Sequence, residues 1–167
     1  MALLDILEFP DARLRTTAKP ITNVDGKIAS LAEQMLDTMY QAPGIGLAST
    51  QVNVHLQLLV VDVSEDKDDP NILFNPRIIN AEGALETSEG CLSVPGFYEP
   101  VTRPENITYE AVGLDGEVFQ KDASGLLAVC IQHEMDHLDG KLFVDYISST
   151  KRQLIRKKLL KQQKLRA

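Results

Sequence analysis

No run of about 18 apolar residues occurs in this 167-residue chain, so no membrane-spanning helix is expected. The opening Met1-Ala2-Leu3-Leu4-Asp5 lacks a basic region and a long apolar stretch, so no signal or transit peptide is expected. Cysteine is scarce, with Cys91 and Cys130 alone. That excludes a disulfide-stapled secreted scaffold and makes a reducing cytoplasm the consistent setting. Internal repeats and linker-like segments are also missing. The length fits one domain, and a hydrophobic fraction of 44% is enough for a real core.

What is there is concentrated in His133-Glu134-Met135-Asp136-His137. Histidines four residues apart lie one turn from each other on one helix face, so both imidazoles can reach one metal ion. Glu134 follows the first of them, where a carboxylate can serve a metal-bound water as general base. A surface helix with chance spacing is the plain alternative. The inserted Glu, and apolar Leu126, Leu127, Val129 and Ile131 just upstream, favour a metal site.

A catalytic metal usually keeps three protein ligands and one open position. Cys130 lies seven residues before His137, roughly 10 Å along a helix axis at about 1.5 Å per residue. Ligands within about 2.3 Å of one ion cannot spread that far, so Cys130 reads as a small buried hydrophobe lining the site. His55 opens the apolar run Leu56 to Val63 and reads as a strand-end surface residue. Cys91 is left as the third ligand. It stands in Glu89-Gly90-Cys91-Leu92-Ser93, where Gly90 permits close backbone approach and Pro95-Gly96 marks a turn.

A third segment is Gly44-Ile45-Gly46-Leu47-Ala48-Ser49-Thr50-Gln51. A phosphate loop is excluded, because no Lys follows the second glycine and no strand leads into the first. A dinucleotide loop lacks its third glycine. What remains is a loop whose N–H groups can line a site, ending in Gln51, whose amide can donate to a developing oxyanion. On this segment alone, a turn with a surface glutamine is the plainer reading.

Helical periodicity at Ile28, Leu31, Met35 and Met39 predicts a helix starting near Asp25 and stopped by Pro43-Gly44. Leu56 to Val63 and Ile72 to Asn80 read as strands, the second with Pro76 at an edge or bulge. Ser64 to Pro70 reads as a solvated acidic loop. Ile107 to Val112 and Glu117 to Gln120 flank the hairpin signal Leu114-Asp115-Gly116. Ser124 to Leu138 carries the metal motif and Gly140 stops it. Tyr146 to Leu165 reads as a last helix. The expected class is α+β: one domain over residues 1–167, mainly antiparallel strands around a central metal-binding helix, with a C-terminal helix.

The three motifs, taken in order, resemble the peptide deformylase family, and the register holds from Pro10 to the basic tail. The family's first motif carries Ala where this chain has Ser49. The resemblance implies removal of the formyl group from N-formylmethionyl nascent peptides by a monomeric cytoplasmic enzyme of bacterial type. It implies Cys91, His133 and His137 as ligands of one divalent metal, and Glu134 as base. It also implies that the Gln51 amide and the Leu92 backbone N–H stabilise the oxyanion. Donor chemistry suits Zn(2+), Fe(2+), Ni(2+) or Co(2+); the resemblance implies Fe(2+). Leu126, Val129 and Cys130 share a helix face with His133, and with Ile45 they are candidates for a methionine pocket, plain core being the alternative. Gly46 and Gly90 are expected to bond the substrate backbone as an added strand does. Phe97 and Tyr98 are placed to meet the residues after methionine, or simply to lie at the surface.

Two rivals stand beside this. His133-Glu134-x-x-His137-x-x-Gly140 overlaps a zinc-protease pattern, but Phe143 stands where that pattern needs a third histidine. A protease with a distant Glu ligand stays open, and leaves Cys91 without a role. A structural metal clip on a ribosome-binding module needs a fourth ligand, for which there is no clear candidate.

Residues 151–167 hold eight cations and no acid, which leaves −15 on residues 1–150 of a chain whose net charge is −7. A solvated helix explains that equally well. A basic helix on an acidic body also suits docking on ribosomal RNA, with the tail dispensable for chemistry.

Overall fold

The computed structural model describes residues 3–166. Asp25 caps the first helix, α1 (Gly26–Gln41), its side chain accepting from the Ile28 N–H at 2.9 Å. Ala32, Met35 and Met39 form its buried face, while Ile28 and Leu31 are only half-buried. Two strands follow, β1 (Gly46–Ala48) and the fully buried β2 (Leu58–Val61). The apolar run thus pairs over a shorter stretch than predicted. His55 lies in the loop before it and is half-buried, not a surface residue.

The next strand, β3 (Asn71–Glu82), contains Pro76, and its register with its neighbour shifts between Phe74 and Arg77. A proline removes a ladder donor, so the bulge falls where the sequence predicts it. Sequence periodicity misses the next hairpin, β4 (Leu85–Cys91) and β5 (Val94–Arg103). The predicted second hairpin is present as β6 (Asn106–Val112) and β7 (Val118–Ser124), with Gly116 at φ 80° in the turn. Glu117 belongs to that turn, and β7 runs four residues beyond the expected Gln120.

Among the described residues every ladder between named strands is antiparallel; one isolated bridge, Lys19 to Leu56, is parallel. One sheet has the order β1-β2-β3-β6-β7, and β4-β5 form a separate ribbon. Helix α2 (Gly125–Leu138) lies centrally against the first sheet, with Ala128, Ile131 and Leu138 in its core. Gly140 ends it at φ 77°, and a Cβ there would meet the Arg15 carbonyl oxygen at 2.5 Å. The last helix, α3 (Ser149–Arg166), starts three residues after Tyr146, which closes a short 3-10 turn instead. Ile155 and Leu159 of α3 pack into a core cluster with Phe9, Leu14, Val94 and Phe143. The tail is therefore part of the body. Among the described residues no helix is long and apolar enough to cross a membrane.

The N-terminal segment joins these parts. Leu7 N–H donates to the Gln51 carbonyl at 2.7 Å, and Phe9 N–H to the Ser93 carbonyl at 2.8 Å. From the other side, Gln163 of α3 donates to the Phe9 carbonyl at 3.0 Å, and Arg166 grips Glu8 at 2.6 Å.

Candidate active site

Strand alternation sets the first half of the site. On β4, Thr87 and Glu89 turn inward while Glu86 and Ser88 are exposed. Cys91 ends the strand, half-buried. The second half comes from α2, which buries His133, Glu134 and His137 toward the same point.

The ligand nitrogens and the thiol converge. His137 Nε2 lies 3.2 Å from His133 Nε2 and 3.3 Å from Cys91 Sγ. All three donor atoms fall within 4.8 Å of one another. Tetrahedral coordination, with metal–sulfur and metal–nitrogen bonds of about 2.3 and 2.0 Å, separates donors by roughly 3.3–3.6 Å. The donor set therefore fits one divalent ion. His133 Nδ1 donates to Glu89 Oε1 at 2.8 Å, which fixes its tautomer and leaves Nε2 for the ion. Burial and the neighbouring His133 hold His137 well below the usual imidazole range, so its ring is neutral.

Glu89 is itself held. Arg103, from the end of β5, binds both its oxygens at 2.6 and 3.0 Å and reaches Asp136 at 2.9 Å. Burial raises the Glu89 pKa, but the hydrogen bonds from His133 and Arg103 outweigh it and keep the carboxylate ionised. Tyr146 closes the chain with a 2.7 Å bond to Asp136.

Glu134 stands about one water away, its oxygens 4.0 Å from His133 Nε2 and 3.8 Å from His137 Nε2. Its Oε1 is buried with no hydrogen-bond partner. Burial pushes its carboxyl up to about 7, against the pull of His133. Gly46 is required beside it, because a Cβ there would collide with the carboxylate.

The Gln51 side chain is buried, which removes the surface-turn alternative. Its Oε1 accepts from the Ala48 N–H at 2.9 Å, so the amide nitrogen must face the other way. That nitrogen lies 3.0 Å from Ser93 Oγ and 3.5 Å from Cys91 Sγ. Leu92 occupies the β4–β5 turn and covers Gly44, where a Cβ would meet its side chain at 2.8 Å.

A cavity of about 840 Å³ opens onto this cluster. The residues expected to bind substrate, Ile45, Gly46, Gly90, Leu126, Val129 and Cys130, all line it, with His133 and Glu134. Burial pushes the Cys130 thiol up to about 12, and its sulfur stands outside the cluster formed by Cys91, His133 and His137, in the cavity wall. Phe97 and Tyr98 also reach the cavity, and Tyr98 covers Gly90, where any Cβ would strike its ring. Sequence reading missed Thr87 and the roles of Glu89, Ser93 and Arg103. For Thr87 and Glu89 the signal was alternation with Cys91; Arg103 carries none.

A family model, polypeptide deformylase, matches residues 3–153. A peptide deformylase of Teredinibacter turnerae is 61% identical over 168 residues, covering 100% of both chains. The crystal structure of a peptide deformylase from Legionella pneumophila superposes with a TM-score of 0.93 at 46% identity, covering 99% of this chain and 98% of that one. One from Ehrlichia chaffeensis, in complex with actinonin, gives 0.93 at 36% identity, covering 97% and 98%. With motifs, fold and donor cluster in agreement, this chain belongs to the polypeptide deformylase family, the metal-dependent hydrolases that remove the N-formyl group from nascent peptides.

Proposed function

We propose that Cys91, His133 and His137 hold one Fe(2+) ion, with Zn(2+), Ni(2+) or Co(2+) able to take its place, and that Glu134, Gln51 and Leu92 carry the deformylation chemistry. The observation that carries this reading is the convergence of three donor atoms within 4.8 Å beside a buried, unpaired carboxylate oxygen. When bound, the cation activates water, whose pKa falls from about 15.7 toward neutrality, and polarises the formyl carbonyl.

The protein's own groups do the rest. Glu134 takes the proton of the attacking water and delivers it to the leaving amine as formate departs. Its Oε1, buried and without a hydrogen-bond partner in the protein, is free to take that proton. The Gln51 amide, aimed by its bond from Ala48, and the Leu92 backbone N–H donate to the growing oxyanion. Ile45, Leu126, Val129 and Cys130 receive the methionine side chain. Gly46 and Gly90 bond the peptide backbone from either side of the cavity, since β1 is an edge strand with a free ladder side.

The enzyme works as a cytoplasmic monomer, consistent with two free cysteines. Its tail is proposed to dock on ribosomes. Arg156, Lys157, Lys158, Lys161 and Lys164 are exposed, with no ion-pair partner among the described residues. Lys151 and Arg166, by contrast, pair with Glu99 and Glu8.

Two measurements test the reading. Formate release from a formyl-methionyl peptide, without cleavage of internal peptide bonds, is the expected activity; internal cleavage would favour the protease alternative. Metal analysis of protein purified without oxygen should find one equivalent of iron.

A further inference from the structure

Gln51 has to meet a transition-state oxygen whose place is set by the metal donors. An error of about 1 Å in such a placement can cost on the order of 10²-fold in rate. Residues 44–51 and α2 are distant in sequence, so their relative placement needs a tie. Thr50 supplies one. Its Oγ1 donates to the His137 carbonyl oxygen at 3.1 Å, across 87 residues. Among the described residues it is the one hydrogen bond between residues 44–51 and α2.

Thr50 is fully buried in the short 3-10 turn Ser49–Val52. Valine has the same shape and no polar group to satisfy, so packing alone does not call for a hydroxyl there. The His137 carbonyl does not call for one either. It lies in the last turn of α2, and the Gly140 N–H already donates to it at 3.0 Å. What the hydroxyl adds is the closure of a ring. Gln51 Nε2 lies 3.5 Å from Cys91 Sγ, which lies 3.3 Å from His137 Nε2. Through Thr50, the His137 backbone leads back to the residue adjoining Gln51.

We infer that Thr50 is a positioning residue for deformylation, whose hydroxyl fixes the Gln51 amide against the metal donors and so against the oxyanion. This rests on the reading above in which Gln51 donates to that oxyanion. Without the Thr50 bond the ring opens. Gln51 then keeps its local bond from the Ala48 N–H but loses its register with α2.

The test measures kcat and KM for formate release from formyl-Met-Ala-Ser, with metal content, on the metal-loaded full chain. Thr50→Val should lower kcat by about 10-fold, a displacement well short of 1 Å. KM should stay within about 2-fold, because a donor used in the transition state alone adds nothing to substrate binding. Metal content should remain one equivalent. Thr50→Ser keeps the hydroxyl and should recover most of kcat. Thr50→Ala is a second hydroxyl-free variant, should the valine form not fold. A general loss of packing would act in any background, so the substitution is repeated in Gln51→Ala, where it should lower kcat by less than about 2-fold further. A full further loss there, native kcat in the hydroxyl-free variant, or no rescue by serine overturns the inference and leaves the Gln51 role standing. Loss of metal from the hydroxyl-free variant also overturns it, since the bond would then serve His137. Near-native kcat in Gln51→Ala overturns the role of Gln51 and the inference with it. Absence of formate release from the native protein would overturn the deformylase reading itself.

Discussion

Glu89 holds His133 from behind, its Oε1 2.8 Å from the imidazole Nδ1, while Arg103 grips both carboxylate oxygens. The orientation of the His133 ring is thus set by a buried ion pair. Glu89→Gln keeps an acceptor for Nδ1 but removes the charge that raises ligand basicity. Metal affinity should fall by about 10- to 100-fold, read by competition with a chelator. Unchanged affinity would show that Glu89 serves only to neutralise Arg103.

Glu134→Ala should keep its metal and lose turnover by several orders of magnitude, because proton transfer and water positioning go together. Formate release and metal content are measured on the same preparation. A metal-loaded variant with near-native turnover would remove Glu134 from the mechanism.

The two cysteines should behave asymmetrically. Cys91→Ser replaces a thiolate with a hydroxyl that stays protonated, so metal and activity are both lost sharply. Cys130→Ser should retain the metal, since this thiol lines the cavity outside the three-donor cluster. The reverse outcome would overturn the ligand assignment.

The tail needs a test that respects the core. Deleting residues 151–167 would strip Ile155 and Leu159 from their cluster and expose Phe9, Leu14 and Phe143. Changing Arg156, Lys157, Lys158, Lys161 and Lys164 to glutamine leaves that cluster intact. Cosedimentation with ribosomes should then weaken and lose much of its salt dependence, while turnover of a short formyl peptide stays close to native. Equal pelleting of both proteins at low and moderate salt would end the docking proposal.

Asp145 gives a pH-dependent stability test away from the metal cluster. Burial pushes its carboxyl up, but bonds from Arg15 and the Leu142 N–H outweigh this and hold it below the ordinary range. A lowered folded pKa contributes stability that is complete above the unfolded value of about 3.9 and is lost as pH falls through the folded value. Asp145→Asn should therefore lower Tm near neutral pH, with the difference shrinking below about pH 4. A constant Tm difference across that range would exclude the linkage.

How much of this was legible from the residues depends on range. His133, Glu134 and His137 announce themselves because one helical turn brings them together. Cys91 followed from a ligand count, and α1 from its cap and periodicity. The β4–β5 ribbon did not show. Its strands carry Gly90, Pro95, Gly96 and Pro100, all poor strand formers, which a two-stranded ribbon tolerates because every strand in it is an edge. On its own segment Gln51 reads as a surface residue, and only the family resemblance points to the site, because its partners, Ser93 and Cys91, are some 40 residues away. The Arg103–Glu89–His133 chain spans three elements, and no local pattern encodes it.

The stitching of Glu8 and Phe9 sets an order of assembly. Their partners on α3 lie 154 and 158 residues downstream. During synthesis, residues 6–9 leave the ribosome early and have nothing to close against. Gln51 and Ser93, which the same segment braces, are made later, and α3 later still. The brace behind the catalytic loops is completed only after Gln163 and Arg166 emerge.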